Sequence, residues 1–180
     1  CTKHYLGYGG GGDTYEKEML EEILLPHEAM IRLTGSKVVM PGYHAVHGKN
    51  CVENEYILKE ILRDYVGFDG MVVSDYTAID QIPGLDDPVQ KAAAAINAGN
   101  DVDFPTGSNY KYLQEAIDQG LVSPETFERA VKNVLRHKFR SGLFDSDPYL
   151  YSTEHIVLDA PAERQTAYDI ASQSVVLLEN

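Results

Sequence analysis

Three short stretches carry side chains whose chemistry could combine. Ser74-Asp75-Tyr76 follows the run Gly70-Met71-Val72-Val73, which places Asp75 where a buried strand ends. Lys3-His4 offers a cation and an imidazole, and Met40 to His44 offers a thioether, the Tyr43 phenol and a second imidazole. A carboxylate at the mouth of a strand either caps the turn that follows or takes part in chemistry. Alone, capping is the simpler account. With Lys3, His4 and Tyr43 expected at the same rim, a carboxylate beside a cation and a phenol should stay ionised at neutral pH, as a nucleophile must.

Two other constellations compete with it. Gly7-Tyr8-Gly9-Gly10-Gly11-Gly12 satisfies G-x-G-x-x-G. A dinucleotide fingerprint also needs a buried strand before it and an acidic residue roughly 20 positions on, at the end of the next strand. Here Lys3 and His4 precede it, and the next strand candidate ends in Met40-Pro41-Gly42. That context favours an active-site loop. His44, His47 and Cys51 have a spacing that can suit a metal, but Pro41-Gly42 predict a loop and no second Cys or His pair completes a tetrahedral set. They read as polar loop residues beside a pocket, and His27, His137 and His155 receive no role.

The elements that must position these residues alternate. Lys37-Val38-Val39-Met40, Gly70 to Ser74 and Asp101-Val102-Asp103-Phe104 are the strand candidates. Val38 precedes Val72 by 72 − 38 = 34 residues and Val72 precedes Val102 by 102 − 72 = 30, a period that suits βα units. Helical stripes fill the gaps. Tyr15, Met19, Ile23 and Leu24 share a face after an Asp13 N-cap with Glu16 at N3, and Pro26 should kink or end that helix. Tyr56, Ile57, Ile61, Leu62 and Tyr65 form the next stripe, closed by Gly67. Asp87-Pro88 and Ser123-Pro124 open two more, which end at Gly99 and Gly142. Strands separated by helices run parallel, either in an open doubly wound sheet or in part of a (β/α)8 barrel. In both, the ligand site lies at the C-terminal ends of the strands. Periodicity lapses over 145–161, as in a linker, and a helix-plus-strand signal follows, with Val175-Val176-Leu177-Leu178 read as a buried strand.

Composition narrows the partners. The 180 residues hold 15 Lys+Arg against 28 Asp+Glu, a net charge of −13, which disfavours nucleic acid and anionic membrane surfaces. No apolar run approaches the roughly 18 residues of a spanning helix. Cys1 and Cys51 are too few for a disulfide scaffold or a cysteine-rich zinc site. Residue 1 is Cys and the last strand signal stops as it forms, so the chain is expected to be a piece of something longer.

The sequence resembles the family 3 glycoside hydrolases, which include β-glucosidases and β-xylosidases. Lys3-His4 is similar to the family's Lys-His pair, and Val38-Val39-Met40-Pro41-Gly42-Tyr43 to its Val-Met-x-x-Tyr strand end. Gly67-Phe68-Asp69-Gly70-Met71-Val72-Val73-Ser74-Asp75-Tyr76 is similar to its nucleophile signature, and Asn97 to Asp103 to its last barrel strand. Leu135 to Phe144 is similar to the helix closing the barrel domain, and Ala171 to Asn180 to the start of an α/β sandwich domain. The resemblance implies an α/β fold: the second half of a TIM-like (β/α)8 barrel over 1–144, an interdomain linker over 145–161 and the start of the sandwich domain over 162–180. It implies hydrolysis of terminal non-reducing β-D-glycosidic bonds with retention, most simply of β-glucosides or else β-xylosides. Asp75 would be the catalytic nucleophile, and Lys3, His4, Met40, Tyr43 and Tyr76 would bind the sugar. No cofactor and no metal are implied. The implied partners are an oligosaccharide or an aryl or alkyl β-glycoside, together with an N-terminal half-barrel and a second domain of the same protein, which would supply the general acid/base. A periplasmic or extracellular setting is also implied. His44 stands where the family commonly has Asn, and the loop after His4 lacks the Asp-x-His pattern of its N-acetylglucosaminidases. Two other classes fit parts of the pattern: a dinucleotide-dependent oxidoreductase and a non-catalytic sugar-binding protein.

Overall fold

A computed structural model describes residues 1–7, 13–14, 16–145 and 157–179. Tyr8 to Gly12 of the glycine-rich stretch, Tyr15, and residues 146–156 of the expected linker, His155 included, lie outside the described residues. The chain forms two compact units, Cys1–Phe144 and Asp145–Asn180.

The first unit is an α/β structure. In chain order it runs through β1 (Thr2–Tyr5), β2 (Asp13–Thr14), α1 (Glu16–Glu18), a π-helical segment (Met19–Ile23), α2 (Leu24–Thr34), β3 (Val38–Pro41), β4 (Ala45–Val46) and β5 (Lys49–Asn50). A 3-10 turn (Cys51–Glu53), a π-helix (Tyr56–Tyr65), β6 (Met71–Val72), α3 (Pro88–Ala98), a second 3-10 turn (Tyr110–Tyr112), α4 (Leu113–Asp118) and α5 (Pro124–Arg140) follow. The main sheet has the order β1-β3-β6, with every pair parallel. Its helical crossovers return the chain to the same end of the sheet, which brings the strand C-termini together. Tyr5, Val39 and Val72 of the three strands join one core with Leu24, Ile31, Ile57, Leu58 and Leu62. Truncating a fully buried member such as Leu58 to Ala would cost about 2–5 kcal/mol. Gly70 sits where chains approach closely. The Met71 amide donates to the Lys37 carbonyl at 3.0 Å, and a Cβ on Gly70 would lie 2.2 Å from that oxygen.

Caps form where the sequence predicts them. The Asp87 carboxylate accepts from the Val89 amide at 2.9 Å, with Pro88 opening α3. The Ser123 hydroxyl accepts from Thr126 N at 3.2 Å, with Pro124 opening α5.

Four expectations are corrected. Asp13 lies in β2 and helix starts at Glu16, so Asp13 is not an N-cap and Glu16 is not at N3. Pro26 does not end its helix, which continues to Thr34. The π-helical turn just before it shifts the hydrogen-bond register away from the i−4 carbonyl that a proline ring would strike. The strands expected at 70–74 and 101–104 shrink to Met71–Val72 and a single bridge, Val73↔Val102. The Asp101 side chain takes the Val72 amide in place of a backbone carbonyl, and the Asp103 side chain binds amides of the loop that follows. The loop expected after Gly42 contains an antiparallel hairpin, β4 on β5, closed by His47-Gly48 with both φ angles positive (52° and 74°). β4 also pairs in parallel with β2.

In the second unit, α6 (Pro161–Gln173) opens with Pro161, and the Glu163 carboxylate accepts from the Ala160 amide at 2.9 Å. Val175 to Leu178 form no strand and are 71–93% exposed, and among the described residues of the unit no strand pairs with them.

Candidate active site

Asp75 follows the Val73–Val102 bridge at the C-terminal end of the sheet and is only 8% exposed. Its Oδ1 accepts from the Tyr76 amide at 2.7 Å, which fixes the plane of the carboxylate. Its Oδ2 lies 3.2 Å from His4 Nε2. The imidazole arrives there through strand order. β1 pairs with β3 with Lys3 opposite Met40, and β3 pairs with β6 with Val39 opposite Val72, so His4 and Asp75 leave the same end of one sheet. The Lys3–His4 and Phe104–Pro105 peptide bonds are both cis.

The phenol of Tyr43 donates to the Tyr76 carbonyl at 2.7 Å, linking the ends of β3 and β6. The Tyr76 ring is 58% exposed and meets the Phe104 ring edge-on at 6.2 Å. His4, Tyr43, Asp75 and Tyr76 are therefore brought together. Met40 is buried in β3. Lys3 is exposed on β1 and borders a hollow shared with Cys1, Thr2, Pro26, His27 and Met30. Among the described residues, no hydrogen bond or ion pair joins Lys3 to Asp75.

Ser74 and Asp103-Phe104, expected at the strand ends, support the rim through contacts that residue type alone does not announce. The Ser74 hydroxyl accepts from Phe104 N at 2.9 Å, and the Phe104 carbonyl accepts from Thr77 N at 3.0 Å. Asp103 Oδ2 accepts from the amides of Asn109 and Tyr110 at 2.8 and 3.2 Å, folding the loop back on itself. The signal was available in the turn-forming run Pro105-Thr106-Gly107-Ser108-Asn109 after an Asp. Beneath the rim, Asp101 Oδ2 lies 3.2 Å from Arg63 Nη2, and its side chain is fully buried. Burial pushes the Asp101 carboxyl above its ordinary range and the Arg63 guanidinium below its own, and the pairing offsets part of both shifts. Burial also raises the Tyr110 phenol well above its ordinary value, keeping it a donor to the Asn100 carbonyl at 2.9 Å.

The other constellations resolve differently. His47 stacks on Tyr56 at 5.4 Å, while His44 Nε2 lies 3.3 Å from Cys51 Sγ. Among the described residues, no group of three or more His, Cys, Asp or Glu is arranged to hold a metal ion. What the rim offers is a fixed carboxylate beside an imidazole, a phenol and an exposed aromatic face. That arrangement suits a polyhydroxylated ring.

Residues 1–137 match the glycosyl hydrolase family 3 N terminal domain. A β-xylosidase of Formosa agariphila is 30% identical over 198 aligned positions, which cover 99% of this chain and 27% of that protein. A periplasmic β-glucosidase of Salmonella typhimurium is 32% identical over 196 positions, covering 99% of this chain and 25% of that one. Among solved structures, a β-glucosidase from Listeria innocua in complex with glucose superposes with a TM-score of 0.79 at 27% identity, over 94% of this chain and 24% of that chain. The chain thus spans about a quarter of the length of the curated relatives it matches. With that match over most of its length, and with a parallel α/β sheet presenting Asp75 and His4 at one end, the chain belongs to glycoside hydrolase family 3.

Proposed function

We propose that the full-length protein hydrolyses terminal, non-reducing β-D-glycosidic bonds with retention of configuration, and that Asp75 is its nucleophile. The observation that carries this is the Asp75 carboxylate, oriented by the Tyr76 amide and 3.2 Å from His4, at the sheet end of a family 3 chain. The first unit would be the second half of a (β/α)8 barrel, residues 145–161 a linker, and residues 162–180 the start of an α/β sandwich domain.

In the first half-reaction the Asp75 carboxylate attacks the anomeric carbon, the glycosidic C–O bond breaks, and the leaving oxygen takes a proton from a carboxylic acid supplied outside this chain. Water then attacks the glycosyl-enzyme, the same group accepts its proton, and Asp75 is released as a carboxylate. Double displacement of this kind places the two carboxyl groups about 5–5.5 Å apart. His4, Lys3 and Tyr43 would hold sugar hydroxyls through hydrogen bonds that tighten in the oxocarbenium-like transition state, and Met40 and Tyr76 would form the apolar wall. The preferred substrate class is the β-glucoside. A second class, the β-xyloside, is favoured by the similarity to the Formosa β-xylosidase. Purified full-length protein should release 4-nitrophenol from aryl β-glucoside or β-xyloside, and Asp75→Ala should abolish it while leaving the circular dichroism spectrum unchanged. Saccharide binding without turnover by the native protein would refute the assignment.

A further inference from the structure

Two loops leave the C-terminal end of the main sheet side by side: residues 75–82 follow β6 and its bridge, and residues 103–110 follow Val102. They are joined at the base and again at the tip. At the base the Ser74 hydroxyl accepts from the Phe104 amide at 2.9 Å, and the Phe104 carbonyl accepts from the Thr77 amide at 3.0 Å. At the tip the Asp80 carboxylate accepts from the Ser108 hydroxyl at 3.0 Å through Oδ2 and from Asn109 Nδ2 at 3.0 Å through Oδ1. Asn109 is buried, and Asp103 Oδ2 holds its amide at 2.8 Å, so the donors that meet Asp80 are themselves anchored. Asp80 is anchored too. Lys91 Nζ of α3 donates to its carbonyl at 2.6 Å, and the adjacent Ile79 and nearby Ile82 sit in a core with Val52 and Ala95.

The base contact holds a strained peptide. The Ala78 amide donates to the Asp75 carbonyl at 3.1 Å, closing a turn with Tyr76 and Thr77 at its centre. Thr77 has a φ of 59°, in the left-handed region that a β-branched residue rarely adopts. Strain of this kind persists only where the surroundings over-determine it. Here the Tyr76–Thr77 peptide is gripped on both sides: its carbonyl accepts from the Tyr43 phenol at 2.7 Å, and its N–H donates to Phe104. The amide one residue earlier, that of Tyr76, orients Asp75 through Oδ1 at 2.7 Å. Released from Phe104, Thr77 would relax out of the left-handed region and turn the Tyr76 amide away from that carboxylate.

We propose that Asp80 is a positioning residue: by clasping Ser108 and Asn109 it seats the Phe104 carbonyl on the Thr77 amide, and so keeps the Tyr76 N–H on Asp75. Asp80 acts through the backbone and transfers no proton. What it supplies is hydrogen-bonding capacity, which an amide of the same shape largely retains. The link to turnover rests on the glycosidase function proposed above, whereas the link between the loops does not.

The test uses the full-length protein labelled with 15N at threonine and tyrosine. Asp80→Ala should shift the Tyr76 and Thr77 amide resonances and speed exchange of the Thr77 amide about tenfold. It should also lower kcat/KM on an aryl β-glucoside about tenfold, chiefly through kcat, as expected when a group that reacts is misplaced while binding is spared. Asp80→Asn, whose carbonyl accepts from Asn109 and whose amide donates to the Ser108 hydroxyl, should return kcat to within about threefold of wild type. Ser108→Ala, which removes one donor of the clasp, should move the same amides and kcat in the same direction by less, and carries the test if Asp80→Ala does not fold. Unmoved Tyr76 and Thr77 amides in the alanine variants would overturn the proposal. So would unchanged kcat in an active protein, or an Asp80→Asn variant as slow as Asp80→Ala, which would mark a charge or proton-transfer role instead. If the wild-type protein turns over no β-glycoside, the proposed activity fails, yet the amide readouts still support or overturn the clasp.

Discussion

Removing the Asp101 carboxylate should weaken the foundation of the rim more than any surface change. Asp101 Oδ2 accepts from the Val72 amide at 2.8 Å and faces Arg63 at 3.2 Å, and Oδ1 accepts from Asn133 Nδ2 at 3.1 Å. Asp101→Ala strands all three donors. An orphaned buried amide costs about 1–3 kcal/mol. Losing one partner of a buried ion pair costs about 3–5 kcal/mol. Arg63 keeps the carbonyls of Phe68 and Gly70 at 3.3 and 2.9 Å, which softens its loss, and the contributions overlap because they share one site. About 3–4 kcal/mol is the expected total, a factor of several hundred in the opening equilibrium at roughly 1.4 kcal/mol per tenfold. The assay is hydrogen exchange at the Val72 and Val73 amides of the full-length protein, combined with a urea midpoint at unchanged m. A loss below about 1 kcal/mol with Val72 still protected would refute the reasoning. The pH dependence has a defined sign. Burial raises the Asp101 carboxyl, so the folded protein takes up its proton at higher pH than the unfolded chain. Its contribution is fully present below the unfolded value and is lost as pH rises. The margin of wild type over the non-titrating Asp101→Asn should therefore widen as pH falls from about 7 to about 4.

The remaining predictions concern the site, a surface pair and the chain alone. In the full-length protein, Lys3→Ala and His4→Ala should each lower kcat/KM on an aryl β-glucoside by about 10- to 100-fold, partly through kcat, and near-wild-type kinetics for both would remove them from the site. The Asp69 carboxyl is held low chiefly by its hydrogen bond with Lys37 and also by Arg140, so its contribution is present above the unfolded value and lost as pH falls through the folded one. The margin of wild type over Asp69→Asn, a few tenths of a kcal/mol at a site so exposed, should shrink progressively as pH falls below about 4 in urea titrations. Residues 1–180 expressed alone should associate through exposed α5 side chains such as Phe127, Val131, Leu135 and Phe139, and should hydrolyse no glycoside. A cooperatively folding monomer with turnover would contradict this.

Local chemistry made part of the fold legible in advance. Asp87-Pro88 and Ser123-Pro124 announced helix starts because a side-chain oxygen followed by proline satisfies the first turn within a few residues. Val38 to Met40 announced a strand because apolar, largely β-branched residues were bounded by Pro41-Gly42. Long-range pairing was less visible. Asp101 takes the Val72 amide from 29 residues away, a side-chain pairing that interrupts the ladder and that the apolar pattern does not show. Pro26 is accommodated by a π-turn whose register no residue type announces. The His47-Gly48 turn joins strands only two residues long, too short for an alternating pattern to announce them. In the site, Asp75 and Tyr43 could be named from their strand ends, whereas the 3.2 Å approach of His4 to Asp75 depends on the β1-β3-β6 order, which only tertiary structure supplies.

The central claim, that Asp75 is the residue glycosylated during turnover, is tested most directly by trapping the intermediate. Full-length protein treated with a 2-deoxy-2-fluoro-β-glycoside bearing an activated leaving group should lose activity with one equivalent of sugar bound. Peptide mass spectrometry should then place that sugar on Asp75. Label on another carboxylate, together with retained activity in Asp75→Ala, would contradict the account.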